Sequence, residues 1–365
     1  MAETKIVIGS LFGDEGKGTT VNWLCKQAIA QGKTCAVVRF CNGPQSGHTV
    51  LEKDIRHTFS SFGSGTILGV PTIYTKDAYV NPIVLMREYD ALVTQGVKPV
   101  FDVSSASLIT PYDVLSNQTD EKNLSDGTCG HGVYKTVLRV EQGIERRCGD
   151  TDDISIFLQQ CREYYGFQTE NDLEEEYMTA YKRMATVSTT ITDTFDTLIY
   201  EGTQGLLLDA EKGYLPHVTA TKTIPNLSQF NPDTEVYLVC RTYLTRHGNS
   251  GNTVQISPLT FPVKHDYTNV WNQFQGTFNK GLFDVNLLNE AFERHGLGKY
   301  DLQYNLVITH CDDIRENYCY KMNGRTIKGD LQAFVTDTQK CVNFKLKGIY
   351  TNSSEKSDLK IFQNY

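Results

Sequence analysis

The residues best suited to chemistry lie near the N-terminus, in the glycine-rich run Gly13-Asp14-Glu15-Gly16-Lys17-Gly18. Glycines let a backbone approach an anion closely, and Lys17 adds a full positive charge. Carboxylates beside bound phosphates would repel them, unless one of the carboxylates binds Mg²⁺ or transfers a proton. The run therefore predicts a phosphate-binding loop in which an acidic residue takes part in the reaction.

This loop differs from the common P-loop of nucleotide-binding proteins. The motif G-x-x-x-x-G-K-[ST] requires a glycine where this chain has Leu11, and Ser or Thr where it has Gly18. An ordinary glycine-rich turn with exposed acidic residues is the simpler alternative. The glycines, the lysine and the elements on either side agree better with anion binding.

The segments on either side of the loop must position it. Residues 5–8 and 34–38 are typical of short buried strands, and Val21, Leu24, Cys25 and Ala28 have the spacing of an amphipathic helix. Strand, loop, helix and strand form a βαβ unit, which predicts a parallel sheet covered by helices. The loop then lies at a helix N-terminus, where free N–H groups and the helix dipole favour an anion.

The rest of the chain continues this pattern. Further strands are expected at 99–103, 197–200, 236–240 and 306–309, with a helix from Pro82 and helices with solvated faces within 152–190. We find no repeat, low-complexity tract or linker. We therefore predict one α/β domain over residues 1–365, with a mostly parallel central sheet flanked by helices.

Composition excludes several classes of protein. The 365 residues include 35 Lys and Arg against 43 Asp and Glu, a net charge of −8. This balance argues against binding to nucleic acid or anionic membranes. No apolar run approaches the roughly 20 residues of a membrane span, and no signal peptide is evident. Ten cysteines without a C-x-x-C pair indicate neither a zinc site nor a disulfide scaffold. We expect an intracellular protein.

The hexapeptide at 13–18, placed after a first strand, resembles the signature of the adenylosuccinate synthetases. Other segments resemble motifs of this family in the same order: 39–49 ending Gly47-His48-Thr49, Gly127-Thr128-Cys129-Gly130, Glu201-Gly202-Thr203-Gln204-Gly205, Pro216-His217-Val218-Thr219, Arg246-His247-Gly248 and Thr309-His310-Cys311-Asp312. The combination is specific and extends along most of the chain. A fold like that of the family is implied.

The resemblance implies a ligase that joins a 6-oxopurine nucleotide to L-aspartate. A nucleoside triphosphate donates its γ-phosphoryl group to purine O6, and the aspartate amine then displaces phosphate at C6. Asp14 matches the family's base and its Mg²⁺ ligand, and Gly47 matches a carbonyl ligand of the same ion. His48 matches the residue that hydrogen-bonds the transferring phosphoryl group, and Lys17 balances charge between the phosphates. The remaining loop residues implied in nucleotide binding are Gly13, Glu15, Gly16 and Gly18.

The resemblance also implies a purine-nucleotide pocket. Thr128 and Thr219 match residues that hold the 5′-phosphate, Gln204 lies near the base, and Gln45 stands where the family has asparagine. Cys129 replaces a threonine that donates to the same phosphate.

The family also contributes an arginine across a dimer interface. Arg139 is the candidate for that arginine, and Arg146 and Arg147 remain possible. A homodimer is therefore expected.

The aspartate and donor sites depart from the family's pattern. The stretch 274–281, from Phe274 and Gln275 onward, has no arginine where cellular members have an Arg-rich aspartate loop. The aspartate ligands left there are Thr277, Asn279 and Lys280, together with Arg246 from an earlier motif. His310 replaces a lysine that packs on guanine in GTP-using members, whereas Asp312, which matches the guanine-binding aspartate, is retained. The donor is accordingly ATP, dATP or GTP.

Short length and the Arg-poor loop resemble the viral branch of the family. Viral members use dGMP and make the succinyl precursor of 2-aminoadenine nucleotides. They replace the first-loop aspartate by serine, however, and this chain keeps Asp14. We predict dGMP as the substrate, with IMP and GTP as the alternative. A binding module without catalysis is a third hypothesis, but it would not need both Asp14 and His48. The expected location is the cytoplasm, that of the host if the protein is viral.

Three histidines carry no motif. His57, His265 and His295 are predicted to lie at the surface.

Overall fold

The computed structural model describes residues 2–121, 128–168, 172–248, 256–264, 266, 268–269, 271, 276–314, 317–354, 356 and 358–362. Within these ranges the helices are α1 (Lys17–Ala30), α2 (Pro82–Thr94), α3 (Pro111–Thr119), α4 (Val133–Glu141), α5 (Ile154–Tyr165), α6 (Asp172–Val187), α7 (Val285–His295) and α8 (Leu331–Cys341). The strands are β1 (Glu3–Gly9), β2 (Cys35–Arg39), β3 (His48–Glu52), β4 (Ile55–Phe59), β5 (Thr72–Tyr74), β6 (Tyr79–Val80), β7 (Phe101–Asp102), β8 (Ser107–Leu108), β9 (Thr197–Gly205), β10 (Glu235–Arg241), β11 (Leu244–His247), β12 (Phe278–Gly281), β13 (Phe283–Asp284), β14 (Gln303–Thr309), β15 (Tyr318–Met322), β16 (Arg325–Gly329), β17 (Leu346–Thr351) and β18 (Lys360–Ile361).

A nine-stranded sheet forms the centre, in the order β18-β17-β14-β10-β1-β9-β2-β5-β7. Its strands pair in parallel, except that β18 is antiparallel to β17. Each strand expected from the sequence is part of this sheet, and the predicted fold class is confirmed. The assignment of residues 1–365 to one domain stays a prediction.

Both faces of the sheet are buried, which explains the unbroken apolar runs in its strands. Ile6 and Ile8 of β1 pack in a cluster with side chains of α7 and α8. Val7, between them, packs on the opposite face with side chains of α1. Alternate side chains of one strand point to opposite faces, so a strand covered on both sides needs apolar residues at every position.

A third apolar cluster lies among α2, α3, α5 and α6. Helix α2 begins at Pro82, as predicted, and Asn81 caps it by accepting a hydrogen bond from the backbone N–H of Ile83 at 3.0 Å. The side-chain oxygen satisfies an N–H that has no partner within the helix. No helix in the described ranges is long and apolar enough to span a membrane.

The prediction that three histidines lie at the surface is wrong for two of them. His57 and His295 are buried, and Nε2 of His295 lies 2.9 Å from the carbonyl oxygen of Leu206. An imidazole with one satisfied nitrogen packs readily in a core, so the lack of a motif does not indicate exposure. His265 lies outside the described residues.

The parallel strands bring the motifs together. Strands β1, β9, β10 and β14 end at Gly9, Gly205, Arg241 and Thr309, all at the same edge of the sheet. Ligands of open α/β sheets bind in the crevice outside this edge.

Candidate active site

The glycine-rich loop leaves β1 and enters α1 through several residues with positive φ. These are Gly13 (88°), Asp14 (56°) and Gly16 (91°), and only glycine and a few short polar residues adopt that region readily. The Thr245 hydroxyl donates to the Gly13 carbonyl at 3.0 Å, and the Arg241 guanidinium donates to the Asp14 carbonyl. Side chains of β10 and β11 therefore hold the backbone of the loop in place.

Two further glycines are required by close packing. A Cβ atom on Gly9 would lie 2.2 Å from Oε2 of Glu15, and one on Gly18 would lie 2.7 Å from Cβ of His48. Neither position has room for a side chain unless a catalytic candidate moves. The packing of His48 against the first turn of α1 therefore depends on Gly18.

Lys17 lies buried at the N-terminus of α1, which has no side-chain cap. Its Nζ atom is 3.9 Å from Oε2 of Glu15, and this oxygen has no hydrogen-bond partner within the described chain. Burial raises the pKa of Glu15 to about 7, more than Lys17 lowers it. The carboxyl therefore balances the charge of Lys17 only in part near neutral pH. The buried cation and the uncapped helix end together favour an anion.

Asp14 is paired with a histidine from β11. Nε2 of His247 lies 3.3 Å from Oδ2 of Asp14 and 3.1 Å from Oδ1 of Asn269. Burial acts to raise the pKa of Asp14, but His247, Arg241 and Lys17 together lower it, so the group is an anion at neutral pH. The sequence analysis did not single out His247, although it lies inside one of the quoted motifs.

His48 is held by a buried carboxylate. Its Nδ1 lies 2.6 Å from Oε1 of Glu201, and Ser64 donates to both oxygens of that carboxylate. Burial lowers the pKa of His48 more than Glu201 raises it, so the ring is neutral with its proton on Nδ1. His48 lines the cleft, and its Nε2 is buried without a partner from the described residues. Glu201 was not predicted as a functional residue, although its motif begins with it.

These groups line one cleft of about 950 Å³. Ten of the predicted residues line it: Asp14, Glu15, Gly16, Lys17, Gly18, Gln45, Gly47, His48, Gln204 and Arg246. The cleft extends in two directions from the glycine-rich loop, toward the 42–49 segment on one side and toward the ends of β14 and β17 on the other. The cleft thus has two arms that meet at one phosphate-binding loop, an arrangement that can hold one nucleotide in each arm.

On the first side, polar side chains converge on Asn42, which the sequence analysis missed. Its Oδ1 accepts from Gln45 at 2.8 Å and from Thr219 at 3.0 Å, and its Nδ2 donates to Thr203 at 2.9 Å. Thr203 in turn donates to Gln204 at 2.6 Å. Asn42 itself has a φ of 57°, a conformation that Asn tolerates better than most residues. The Asn42 amide therefore links three predicted nucleotide ligands by hydrogen bonds. Gln45 and Thr219 are linked directly, and Gln204 is linked through Thr203.

Thr128 and Cys129 do not line the cleft. The Thr128 hydroxyl donates to Oδ1 of Asn117 at 3.0 Å, and burial raises the pKa of Cys129. His131, two residues further on, lines the cleft instead. Gly127 of the same motif lies outside the described residues.

The prediction that Arg139 reaches a neighbouring subunit is corrected. Its side chain is 0% exposed and makes an ion pair with Asp113 at 2.9 Å. The guanidinium also donates to the carbonyl oxygens of Leu108 and Ile144. Its donors are used inside its own chain, because a buried charge needs partners. Of the alternatives, Arg146 is buried as well, whereas the side chain of Arg147 is 31% exposed.

Three of the residues predicted for aspartate lie on one antiparallel pair of strands, and the fourth, Thr277, directly precedes it. Arg246 of β11 is opposite Asn279 of β12, and Lys280 is opposite Thr245. Only Arg246 lines the cleft, where its Nη1 has no partner among the residues that the structure describes. Thr277, Asn279 and Lys280 lie away from the cleft wall. Phe274 and Gln275 lie outside the described residues.

Asp312 also lies away from the cleft wall. Its carboxylate accepts from Nζ of Lys264 at 2.6 Å and from the backbone N–H of Ser354 at 2.6 Å. The next residue, Asp313, lines the cleft.

Mg²⁺ fits the residues at the loop. No three His, Cys, Asp or Glu side chains cluster as a metal site within the described ranges. Mg²⁺ bound with phosphates, however, usually takes only one or two carboxylates and keeps several waters. The anionic Asp14 supplies one carboxylate, and Gly47, which lines the same cleft, would add a backbone carbonyl.

A parallel sheet with a phosphate-binding loop, a carboxylate and a histidine in one cleft defines an enzyme that acts on nucleotides. The chain belongs to the adenylosuccinate synthetase family, because the model of that family matches residues 6–359. It is therefore a C–N ligase that couples a purine nucleotide to aspartate.

Curated relatives and solved structures agree with this assignment. The adenylosuccinate synthetase of Haemophilus influenzae is 26% identical over 369 residues, which cover 90% of this chain and 83% of the relative. That of Methanococcoides burtonii is 26% identical over 88% of this chain and 83% of its own length. The fully ligated adenylosuccinate synthetase of Plasmodium falciparum has a TM-score of 0.73 at 15% identity, covering 98% of this chain and 99% of its own. The succinoaminodeoxyadenylate synthetase of cyanophage S-2L, bound to dGMP and dATP as an energy donor, has a TM-score of 0.63 at 16% identity, covering 99% and 95%.

Proposed function

We propose that this ligase couples dGMP to L-aspartate, driven by a nucleoside triphosphate, and forms N6-succino-2-amino-2′-deoxyadenylate. Residues 274–281 contain no arginine, a feature that resembles the viral branch of the family. The likeness to the cyanophage enzyme bound to dGMP agrees with the proposal.

The residues at the loop suit the two steps of this reaction. Asp14 takes the N1 proton of the purine, so that O6 attacks the γ-phosphoryl group. Nε2 of His48 lies beside that group, gains a proton next to its charge and donates a hydrogen bond to it. The α1 N-terminus and Lys17 hold the phosphates in place, which is most of what a loose phosphoryl transfer needs. Mg²⁺, held by Asp14 and the Gly47 carbonyl, would neutralise charge on the phosphates.

The proposed site for the substrate aspartate rests on the buried guanidinium of Arg246. Nη1 of Arg246 is buried without a partner among the described residues, while Nη2 donates to the carbonyl of His217 at 3.3 Å. Burial lowers the pKa of Arg246, and a carboxylate of aspartate would offset that cost. Arg246 therefore binds a substrate carboxylate in place of the missing Arg-rich loop. Thr277, Asn279 and Lys280 contribute only if the 276–281 segment moves toward the cleft.

The observation that carries the choice of dGMP is a group of acceptor atoms in the cleft wall. Oδ2 of Asp14 and Oδ1 of Asn269 both lie close to Nε2 of His247, at 3.3 and 3.1 Å. Guanine differs from hypoxanthine by a 2-amino group with two N–H donors. With Asp14 beside N1, the Asn269 carbonyl accepts from that amino group as well as from His247. IMP lacks the amino group and forgoes this hydrogen bond, worth about 0.5–1.5 kcal/mol net, which disfavours IMP.

Competition between dGMP and IMP tests this proposal. With aspartate, triphosphate and both nucleotides at equal concentration, the two succinyl products are separated by mass. We expect at least a tenfold preference for dGMP, equivalent to about 1.4 kcal/mol. Asn269→Ala should reduce the preference, whereas Thr268→Ala, a neighbouring change in the cleft wall, should not. Predominant formation of adenylosuccinate would contradict the proposal.

IMP with GTP is the second candidate. The retained Asp14 favours it, because the resemblance to the viral branch implies serine there. In that case the product is adenylosuccinate, the competition gives the opposite result, and the roles of Lys17 and His48 are unchanged.

We also propose a homodimer that acts in the cytoplasm, that of the host if the protein is viral. Arg147 replaces Arg139 as the arginine proposed to reach the partner's nucleotide, because its guanidinium is partly exposed. To do so it would have to leave Glu145 and the carbonyl oxygens of Lys76 and Ser105. Sedimentation velocity tests the dimer. Mixing inactive Arg147→Ala and Asp14→Asn chains tests the shared site, since one hybrid site keeps both residues.

A further inference from the structure

Two adjacent carboxylates near the arm of the cleft beyond β14 differ, because Asp313 lines this arm whereas Asp312 does not. Thr309 binds the loop, its hydroxyl donating to the Glu15 carbonyl at 2.7 Å, so this arm continues directly from the phosphate site. His310 and Ser354, which follows β17, also line the arm. Under the proposed function this arm holds the base of the donor triphosphate, and the inference below rests on that function.

Asp312 is not available to a base. Oδ2 accepts from Nζ of Lys264 at 2.6 Å and from the Ser354 hydroxyl at 3.1 Å, and Oδ1 accepts from the Ser354 N–H at 2.6 Å. Burial acts to raise the pKa of this carboxyl, but Lys264 and the other donors lower it strongly. A ligand would have to displace Lys264 from Oδ2 or the backbone N–H of Ser354 from Oδ1.

Asp313 has the opposite surroundings. It is 4% exposed, and its Oδ2 accepts from the Tyr243 hydroxyl at 2.7 Å. Its Oδ1 is buried without a hydrogen-bond partner among the residues described by the structure. Burial raises the pKa of Asp313, although Tyr243 and Ser354 act to lower it. A buried acceptor without a donor is costly, so this oxygen indicates a ligand that supplies an N–H.

We propose that Asp313, and not Asp312, recognises the donor base, and that Oδ1 accepts from the 6-amino group of an adenine nucleoside triphosphate. Guanine presents two adjacent donors, N1–H and the 2-amino group, which fit best against two oxygens of one carboxylate that are both open to the ligand. In Asp313 only Oδ1 is without a donor, because Oδ2 accepts from Tyr243, and in Asp312 both oxygens accept from Lys264 or Ser354. Adenine presents one amino group and is satisfied by the single free oxygen. Guanine would leave a donor unpaired and is disfavoured.

Binding of the β,γ-imido analogues of ATP and GTP, measured by calorimetry, tests this inference. We expect the ATP analogue to bind at least tenfold more tightly. Asp313→Asn should remove most of that difference, whereas Asp312→Asn, the matched change one residue earlier, should leave the ratio within about twofold. Tighter binding of the GTP analogue, or a ratio that changes only in Asp312→Asn, would overturn the assignment.

A second measurement uses the unmodified enzyme, in case Asp313→Asn does not fold. Purine riboside triphosphate lacks the 6-amino group and competes with the imido analogue of ATP for the wild type. It should bind at least tenfold more weakly than ATP, and equal binding would refute the role of the amino group. Both readouts are independent of turnover. Failure to form a product from dGMP or IMP would therefore contradict the proposed function and leave this result standing.

Discussion

Oε1 of Glu201 lies 2.6 Å from Nδ1 of His48, in a site where the two residues are 0% and 5% exposed. This contact fixes the tautomer of the histidine, because a carboxylate accepts the Nδ1 proton. It also leaves Nε2, which has no partner among the described residues, as the nitrogen able to bind a ligand. Glu201 of β9 therefore determines the tautomer of His48, which belongs to β3.

Glu201→Gln should therefore impair turnover more than binding. The amide keeps the shape of the side chain but removes the charge that supports a protonated His48. We expect kcat to fall by about 10²-fold while KM for the purine nucleotide changes less than threefold. Glu176→Gln, an exposed ion-pair residue on α6, is the control. A rise in KM with kcat unchanged would show that Glu201 has only a structural role.

Asp14→Asn is the substitution that tests the base. Asparagine tolerates the left-handed conformation of this position, where φ is 56°, so the loop is retained while the carboxylate is lost. We expect kcat to fall at least about 10²-fold with no loss of stability in urea. Turnover within threefold of the wild type would remove Asp14 from the mechanism.

Arg139 is predicted to matter for stability. Arg139→Met leaves the Asp113 carboxylate buried without its cation, and breaking such a pair costs about 3–5 kcal/mol. Urea denaturation measures the free energy of unfolding. Arg147→Met, which removes a partly exposed guanidinium, should cost less than about 1 kcal/mol. A wild-type stability for Arg139→Met would show that the buried pair does not form.

The sequence predicted the fold and the loop for a physical reason. The apolar runs of the parallel strands and the glycine loop are local signals, and each corresponds to one element. The partners of the loop are not local, because His247, Glu201 and Asn42 approach it only after the strands assemble. Sequence spacing cannot indicate such contacts, although all three of these residues lie inside quoted motifs.

The wrong predictions share a cause. Arg139 was matched to the family's arginine at the dimer interface, and His295 was assigned to the surface because it carries no motif. In the structure, Asp113 neutralises the arginine, and the Leu206 carbonyl accepts from the histidine. Burial of a polar group depends on such a partner, and the partner is distant in sequence.

His295 gives a prediction for pH dependence. Burial lowers the pKa of His295 below its usual 6.5, although Asp209 acts to raise it. The unfolded chain therefore takes up a proton first as the pH falls below 6.5, and stability is lost toward the lower folded pKa. His295→Gln keeps a donor for the Leu206 carbonyl but cannot titrate. Its free energy of unfolding should fall less than that of the wild type between pH 7 and pH 5. Parallel curves for the two proteins would contradict this assignment.

Transfer of oxygen from the purine tests the central claim most directly. The account holds that O6 of dGMP attacks the γ-phosphoryl group in the cleft around Asp14, Lys17 and His48, and that aspartate then displaces it as phosphate. With dGMP labelled by ¹⁸O at O6, unlabelled triphosphate and aspartate, mass spectrometry follows the label. We predict one ¹⁸O atom in each inorganic phosphate released and none in the succinyl product. Unlabelled phosphate, released while the label stays on the purine, would contradict the account.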